Sequence, residues 1–173
     1  MSNYDILVYP DSRLKQESRP VEFFTAEFRE FVAALEMTML ASPGCVGIAA
    51  PQIGSPVRVA IVDVSAKPKL LHHGHLILVN PEITDWEGHV MGREGCLSVP
   101  DYTGNVFRAE KIALDYFDAE GAKHQLTTEG FEARAIQHEL DHLDGVLFID
   151  RVVSRRSDLF RRKNYQVKPN NGV

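Results

Sequence analysis

Two stretches of the chain repeat their apolar residues at close to the helical period. The first holds Phe28, Phe31, Val32, Leu35 and Leu40. It follows Thr25, whose hydroxyl suits a helix N-cap, and it ends at the breaker cluster Ser42-Pro43-Gly44. The second covers 130–143, with Thr127 or Thr128 placed to cap it. Gly145 stands where a left-handed residue closes a helix. Between the helices the pattern is that of strands. Residues 57–64 (VRVAIVDV) are β-branched and mostly apolar, which predicts a buried strand. Residues 76–79 and 82–86 predict two more, broken by Asn80-Pro81. Ile112, Leu114 and Tyr116 alternate with other residues, and 123–127 returns after the turn at 118–121, which predicts a hairpin. Two segments show no period: 45–54 (CVGIAAPQIG) and 91–100 (MGREGCLSVP). Both are expected to be irregular, with small residues that let a backbone approach a neighbour closely. Residues 146–149 predict a strand or packed connection, 154–163 a short helix and 168–173 a frayed tail.

Composition narrows the class. A chain of 173 residues, 44% hydrophobic and 25% charged, fits one soluble domain with a sizeable core. A net charge of −5 argues against a nucleic-acid-binding surface. The opening residues, MSNYDILVYPDSR, carry neither a basic n-region nor an apolar h-region, so no signal peptide is expected. No apolar run is long enough to span a membrane. Two cysteines imply no disulfide framework, and the cytoplasm is the expected compartment.

The predicted second helix carries chemistry. His138 and His142 are one helical turn apart on one face, a spacing that lets two imidazoles grip one metal ion. Glu139 stands beside them, placed to act on a metal-bound water. Two histidines do not complete a site. Asp144 is too close to be the third ligand, and no further histidine follows at the usual offset. That leaves Cys96, in the Gly-flanked run EGCLS at 94–98. A thiolate with two neutral imidazoles leaves a fourth position open, the pattern of a catalytic site. Taken alone, Cys96 reads more readily as a small buried apolar residue than as a ligand, and a HExxH pattern also arises on helices by chance. His72, His73 and His75 lack a helical frame and read as exposed loop residues rather than a metal cluster.

Three segments together resemble the signature motifs of peptide deformylases: CVGIAAPQ at 45–52, EGCLS at 94–98 and QHELDH at 137–142. They stand in that family's order, and the resemblance covers about residues 5–150. It implies that Cys96, His138 and His142 hold a divalent metal, Fe²⁺ first, with Zn²⁺ or Ni²⁺ able to occupy the site. It makes Glu139 the general acid and base, and gives the Gln52 amide and the Leu97 backbone N–H to an oxyanion hole. Backbone groups around Val46, Gly47 and Ile48 would pair with substrate as an added strand. Ile48, Ile136 and the His138 ring face, with Tyr102, would receive the methionine side chain. Glu94 would pair with a polar neighbour behind the metal, and Arg134 reads as a solvated helix residue.

The implied substrates are formyl-methionyl nascent polypeptides, with formate released. The implied fold is α+β, with antiparallel strands surrounding a central helix that carries HExxH. One catalytic domain is expected over 1–150, followed by a basic extension over 151–173 that includes Arg151, Arg155, Arg156, Arg161, Arg162, Lys163 and Lys168. That extension reads first as solvated surface and second as a ribosome contact. The expected source is a bacterium. Two departures from the motifs stand out: Cys45 replaces a glycine, and Thr103 stands where many relatives carry an arginine that reaches substrate. A metalloprotease and a non-catalytic descendant are the competing readings. Cys96 as ligand and Gln52 argue against the first, and the complete set of active groups argues against the second.

Overall fold

The computed structural model describes residues 4–67 and 69–162. Lys163, Lys168 and the expected tail at 168–173 lie outside the described residues. The first helix, α1 (Ala26–Leu40), begins where its cap chemistry places it: the Thr25 side chain accepts from the Phe28 N–H at 3.1 Å. Its inner face buries Val32, Leu35 and Met39, while Leu40 is 72% exposed. There follow β1 (Gly47–Ala49), β2 (Val59–Asp63), β3 (His75–Glu87), β4 (Val90–Cys96), β5 (Val99–Arg108), β6 (Lys111–Phe117), β7 (Lys123–Glu129), α2 (Gly130–Leu143) and β8 (Leu159–Arg161). The architecture is α+β. Five strands form one antiparallel sheet in the order β1–β2–β3–β6–β7, and β4–β5–β8 form a second antiparallel sheet.

Several elements differ from the sequence expectation, each for a physical reason. The 45–54 segment contains β1, which pairs with β2 in the register Ile48↔Ile61. Three residues are too few to show a period. Asn80-Pro81 does not break β3. Asn80 takes a left-handed φ of 49°, the register shifts there, and the Asn80 side chain bonds both the N–H and the C=O of Val21. Residues 91–100 are not irregular but form the β4–β5 hairpin. Their glycines make room: a Cβ on Gly92 would meet the Arg134 guanidinium at 2.8 Å, and one on Gly95 would collide with Arg162. Neither Thr127 nor Thr128 caps α2. Glu129 is its N-cap without a side-chain bond, and the Thr128 hydroxyl donates instead to the buried Glu132 at 2.8 Å. Of the two readings for 146–149, the packed connection is the one found: Leu147, Phe148 and Ile149 are buried, and 148–150 form a turn of 3-10 helix. The helix expected over 154–163 is a turn followed by β8, because pairing with β5 at Thr103↔Phe160 outweighs local propensity. Gly145 does close α2, at a φ of +72°.

Helix α2 packs on β1, β2, β6 and β7. Its apolar face joins Ile136 and Leu140 to Val62, Leu78, Ile112 and Leu114 in one buried cluster. Two more clusters lie against α1 and between the second sheet and the 147–149 segment. No helix among the described residues is long and apolar enough to cross a membrane. Leu114 is 1% exposed, so Leu114→Ala should lower unfolding free energy by about 2–5 kcal/mol in urea titration. Leu40→Ala, at an exposed position, should change it by less than about 0.5 kcal/mol.

Candidate metal centre

The spacing of His138 and His142 on α2 sets their rings 5.3 Å apart between centroids, at 71° to each other. The end of β4 brings Cys96 to them. Its Sγ lies 3.3 Å from His142 Nε2, and one ligand atom each from Cys96, His138 and His142 lie within 4.8 Å of one another. A soft thiolate with two imidazole nitrogens is a donor set for a divalent transition metal. Glu139 Oε2 is buried beside the trio with no hydrogen-bond partner among the described residues, which fits a polar site that takes a ligand.

Electrostatics prepare the trio. Burial pushes the Cys96 thiol up, but His142 and His138 beside it outweigh that and hold it well below its ordinary value. Burial opposes a proton on His138, yet its bonds to Cys96 and Glu94 raise it well above the usual histidine range. Burial pushes Glu139 up to about 7, against the pull of His138 and His142, so its carboxyl exchanges a proton near neutral pH. Glu139 also leans on β1: a Cβ on Gly47 would meet its Oε1 at 2.8 Å and its Cγ at 2.9 Å. Cys45, on the same wall, donates through Sγ to the Gly47 carbonyl at 3.0 Å. Burial pushes its thiol up to about 11, so it stays protonated where Cys96 does not.

A buried ionic network stands behind the site. Glu94 Oε1 lies 2.8 Å from His138 Nδ1 and accepts from Arg108 Nη2 at 2.8 Å. Its Oε2 accepts from Arg108 Nε at 2.9 Å and Arg134 Nη1 at 2.8 Å. Arg108 Nη1 reaches on to Asp141 at 2.5 Å, and Arg151 closes on the same carboxylate. Burial alone would raise Glu94, but its bonds to Arg108 and His138 hold it far below the carboxylate range. With Nδ1–H of His138 given to Glu94, Nε2 is the ring nitrogen that would meet a metal, which would take the place of the Nε2 proton.

The cavity here has a volume of ≈330 Å³ and includes Cys96, His138 and Glu139 in its wall. A family profile described as polypeptide deformylase matches residues 3–158. The chain belongs to the peptide deformylase family. The peptide deformylase of Wolinella succinogenes is 40% identical over 162 residues, covering 93% of this chain and 92% of that relative. The crystal structure of the Ehrlichia chaffeensis peptide deformylase matches with a TM-score of 0.84 at 34% identity, covering 90% of each chain. A class I type b peptide deformylase from Acinetobacter baumannii, solved with Met-Ala-Ser bound, matches with a TM-score of 0.81 at 35% identity. It covers 87% of this chain and 99% of that one. Peptide deformylases are metal-dependent hydrolases, and membership sets aside the metalloprotease reading.

Within the deformylase site, the residues singled out from sequence fall in different places. Val46, Gly47, Gln52 and Leu97 line the cavity. Gln52 accepts from the Ala49 N–H at 2.9 Å and donates through Nε2 to Ser98 Oγ at 3.1 Å and Cys96 Sγ at 3.5 Å. Ile48 and Ile136 are fully buried in two core clusters and do not form its wall, whereas Phe131 and Ala135 do. Tyr102 packs against the cluster around Phe148. Arg134 is not solvated: besides Glu94 it donates to the carbonyls of Val106 and Val90. Thr103 accepts from Arg93 Nη1 at 3.3 Å. Two histidines of the 72–75 segment meet carboxylates: His73 faces buried Glu132, and His75 lies between Glu36 and Asp63, while His72 accepts from the Gly74 N–H at 2.9 Å.

Sequence reasoning missed Arg108. Its signal was legible, since Val106 and Arg108 share the inward face of β5, and a buried arginine needs a carboxylate. Glu94 has a folded pKa below its ordinary value of 4.5, so its network stabilises the fold at neutral pH and that stability is lost as pH falls through and below about 4.5. The urea midpoint of the natural chain should drop over that range. Glu94→Gln should start lower and lose less; equal losses in both would contradict the network's role.

Proposed function

We propose that this chain removes the formyl group from formyl-methionyl nascent polypeptides, releasing formate and a free amino-terminal methionine. The observation that carries the reading is the Cys96–His138–His142 trio at a cavity that Cys96, His138 and Glu139 line, backed by family membership. The bound Met-Ala-Ser in the Acinetobacter baumannii relative is the chemistry of a deformylated peptide and supports the same substrate class.

Cys96, His138 and His142 would hold one divalent metal, Fe²⁺ in preference to Zn²⁺ or Ni²⁺. When bound there, it would polarise the formyl carbonyl and acidify water. Glu139 takes a proton from the attacking water on its carboxylate and gives it to the amine nitrogen as the formamide C–N bond breaks. Burial holds this carboxyl above the usual carboxylate range, and a carboxyl so placed can take the proton and return it. The Gln52 Nε2–H that lies along the longer contact to Cys96 Sγ, at 3.5 Å, would turn together with the Leu97 N–H to the developing oxyanion, a contribution of about 3 kcal/mol. β1 is the edge of its sheet, so Val46, Gly47 and Ile48 offer backbone for an added substrate strand that accepts many sequences. Ile48 and Ile136 would back the methionine pocket from the core. We read α2, carrying HExxH, as the central helix: it packs on the first sheet and reaches the second through His138 and Arg134 to Glu94. We read residues 1–150 as the catalytic unit and the basic stretch that starts at 151 as docked on it through Arg151 and β8, with exposed Arg155, Arg156 and Arg161 that suit an anionic surface such as a ribosome.

Glu139→Ala should retain metal, measured by elemental analysis after anaerobic purification. It should lose formate release from formyl-Met-Ala-Ser by roughly 10²–10⁴-fold. Cys96→Ala should lose the metal itself. Full activity in Glu139→Ala would refute the assigned proton transfers.

A further inference from the structure

The mouth of the cavity carries charge that the hydrolytic chemistry does not use. Lys67, Arg93 and Arg162 all line it. The Arg162 guanidinium lies over Gly95, the neighbour of the ligand Cys96. The second sheet places it there: the Arg162 N–H donates to the Asp101 carbonyl at 2.7 Å, just past the β5–β8 pairing. Arg93 is anchored by neutral groups. Its guanidinium sits 3.7 Å from the centroid of the Phe160 ring and donates to Asn105 Oδ1 at 3.1 Å and Thr103 Oγ1 at 3.3 Å. Lys67 Nζ sits 4.4 Å over the Phe131 ring, itself part of the cavity wall.

Among the described residues none of these three cations forms a salt bridge. That is unexpected in a chain with 24 Asp and Glu against 19 Lys and Arg. Arg134, the fourth cation of the wall, is by contrast committed to Glu94. Both acidic residues of the wall, Glu94 and Glu139, are buried. Rings and neutral amides hold a guanidinium in place without cancelling its charge. The rim therefore presents a positive field at the entrance.

We propose, building on the deformylase reading of this cavity, that the rim selects formyl peptides with an acidic side chain soon after the methionine. Arg93 and Arg162 are the specificity-determining residues. The formyl end must reach Cys96, His138 and Glu139, so the following residues leave past the rim. An extended chain advances about 3.3 Å per residue, which brings the second to fourth residues past these cations in turn.

The test compares kcat/KM on amidated formyl-Met peptides that carry Glu at position two, three or four with their Gln counterparts. The amide removes the terminal carboxylate, so only the side chain differs in charge. The holoenzyme should favour Glu at one or more positions by about threefold to tenfold, the scale of one or two partly exposed ion pairs. The Glu-to-Gln ratio should fall toward one in the double variant Arg93→Gln, Arg162→Gln, and in about 0.5 M salt. A ratio cancels any loss of folded enzyme. Equal rates on Glu and Gln peptides at all three positions, or a preference that survives the double variant, would overturn the proposal. No formate from any peptide, the Gln series included, would overturn the deformylase reading and the rim selectivity with it.

Discussion

The buried carboxylate of Glu94 is the joint from which the site hangs. It meets Arg108 with both oxygens, Arg134 with one and His138 Nδ1 with the other. These contacts tie β4, β5 and α2 together at the point where a metal would be gripped. Charges removed from water are costly unless paired, so each member requires the others. Arg108 extends the chain of pairing to Asp141, and Arg151 meets the same carboxylate. An apolar core of the same volume could hold these elements with similar stability. It could not fix the imidazole's tautomer and ring orientation.

Residue type alone does not decide protonation in this cavity. Cys96 and Cys45 share its wall, yet they lie at opposite ends of the thiol range. Two imidazoles beside Cys96 overcome its burial; Cys45 faces a carbonyl and gains no such partner. Glu94 and Glu139 diverge in the same way. Both are buried, but Glu94 has guanidinium partners, whereas Glu139 has an unpartnered oxygen and is pushed up to about 7. One carboxylate is thereby a fixed anion that orients, and the other a group able to give and take a proton. Gly47 completes the arrangement by omitting the Cβ that would displace Glu139.

The second sheet delivers the groups that α2 lacks. β4 ends at Cys96 and carries Glu94, β5 carries Arg108, and β8 leads directly to Arg162. Two glycines of β4 are spaces for arginines: Arg134 lies over Gly92 and Arg162 over Gly95. The same hairpin thus supports the metal trio from behind and sets the charge at the entrance.

Local patterns determined much of this molecule. The periods of α1 and α2, the Thr25 cap, the Gly145 closure and the buried strand near 59–63 follow from spacing and propensity, which need no distant partner. The one-turn spacing of His138 and His142 follows from helix geometry, and the three motifs made the family legible. Only tertiary structure brought Cys96 within reach of those histidines from 42 residues away in sequence. It also turned the glycine-rich 91–100 run into strands, converted 159–161 from helix to strand and withdrew Arg134 from solvent. Each of these outcomes depends on a partner far along the chain. Sheet pairing and buried charge are satisfied between segments, and no local pattern records which segment will supply the other half.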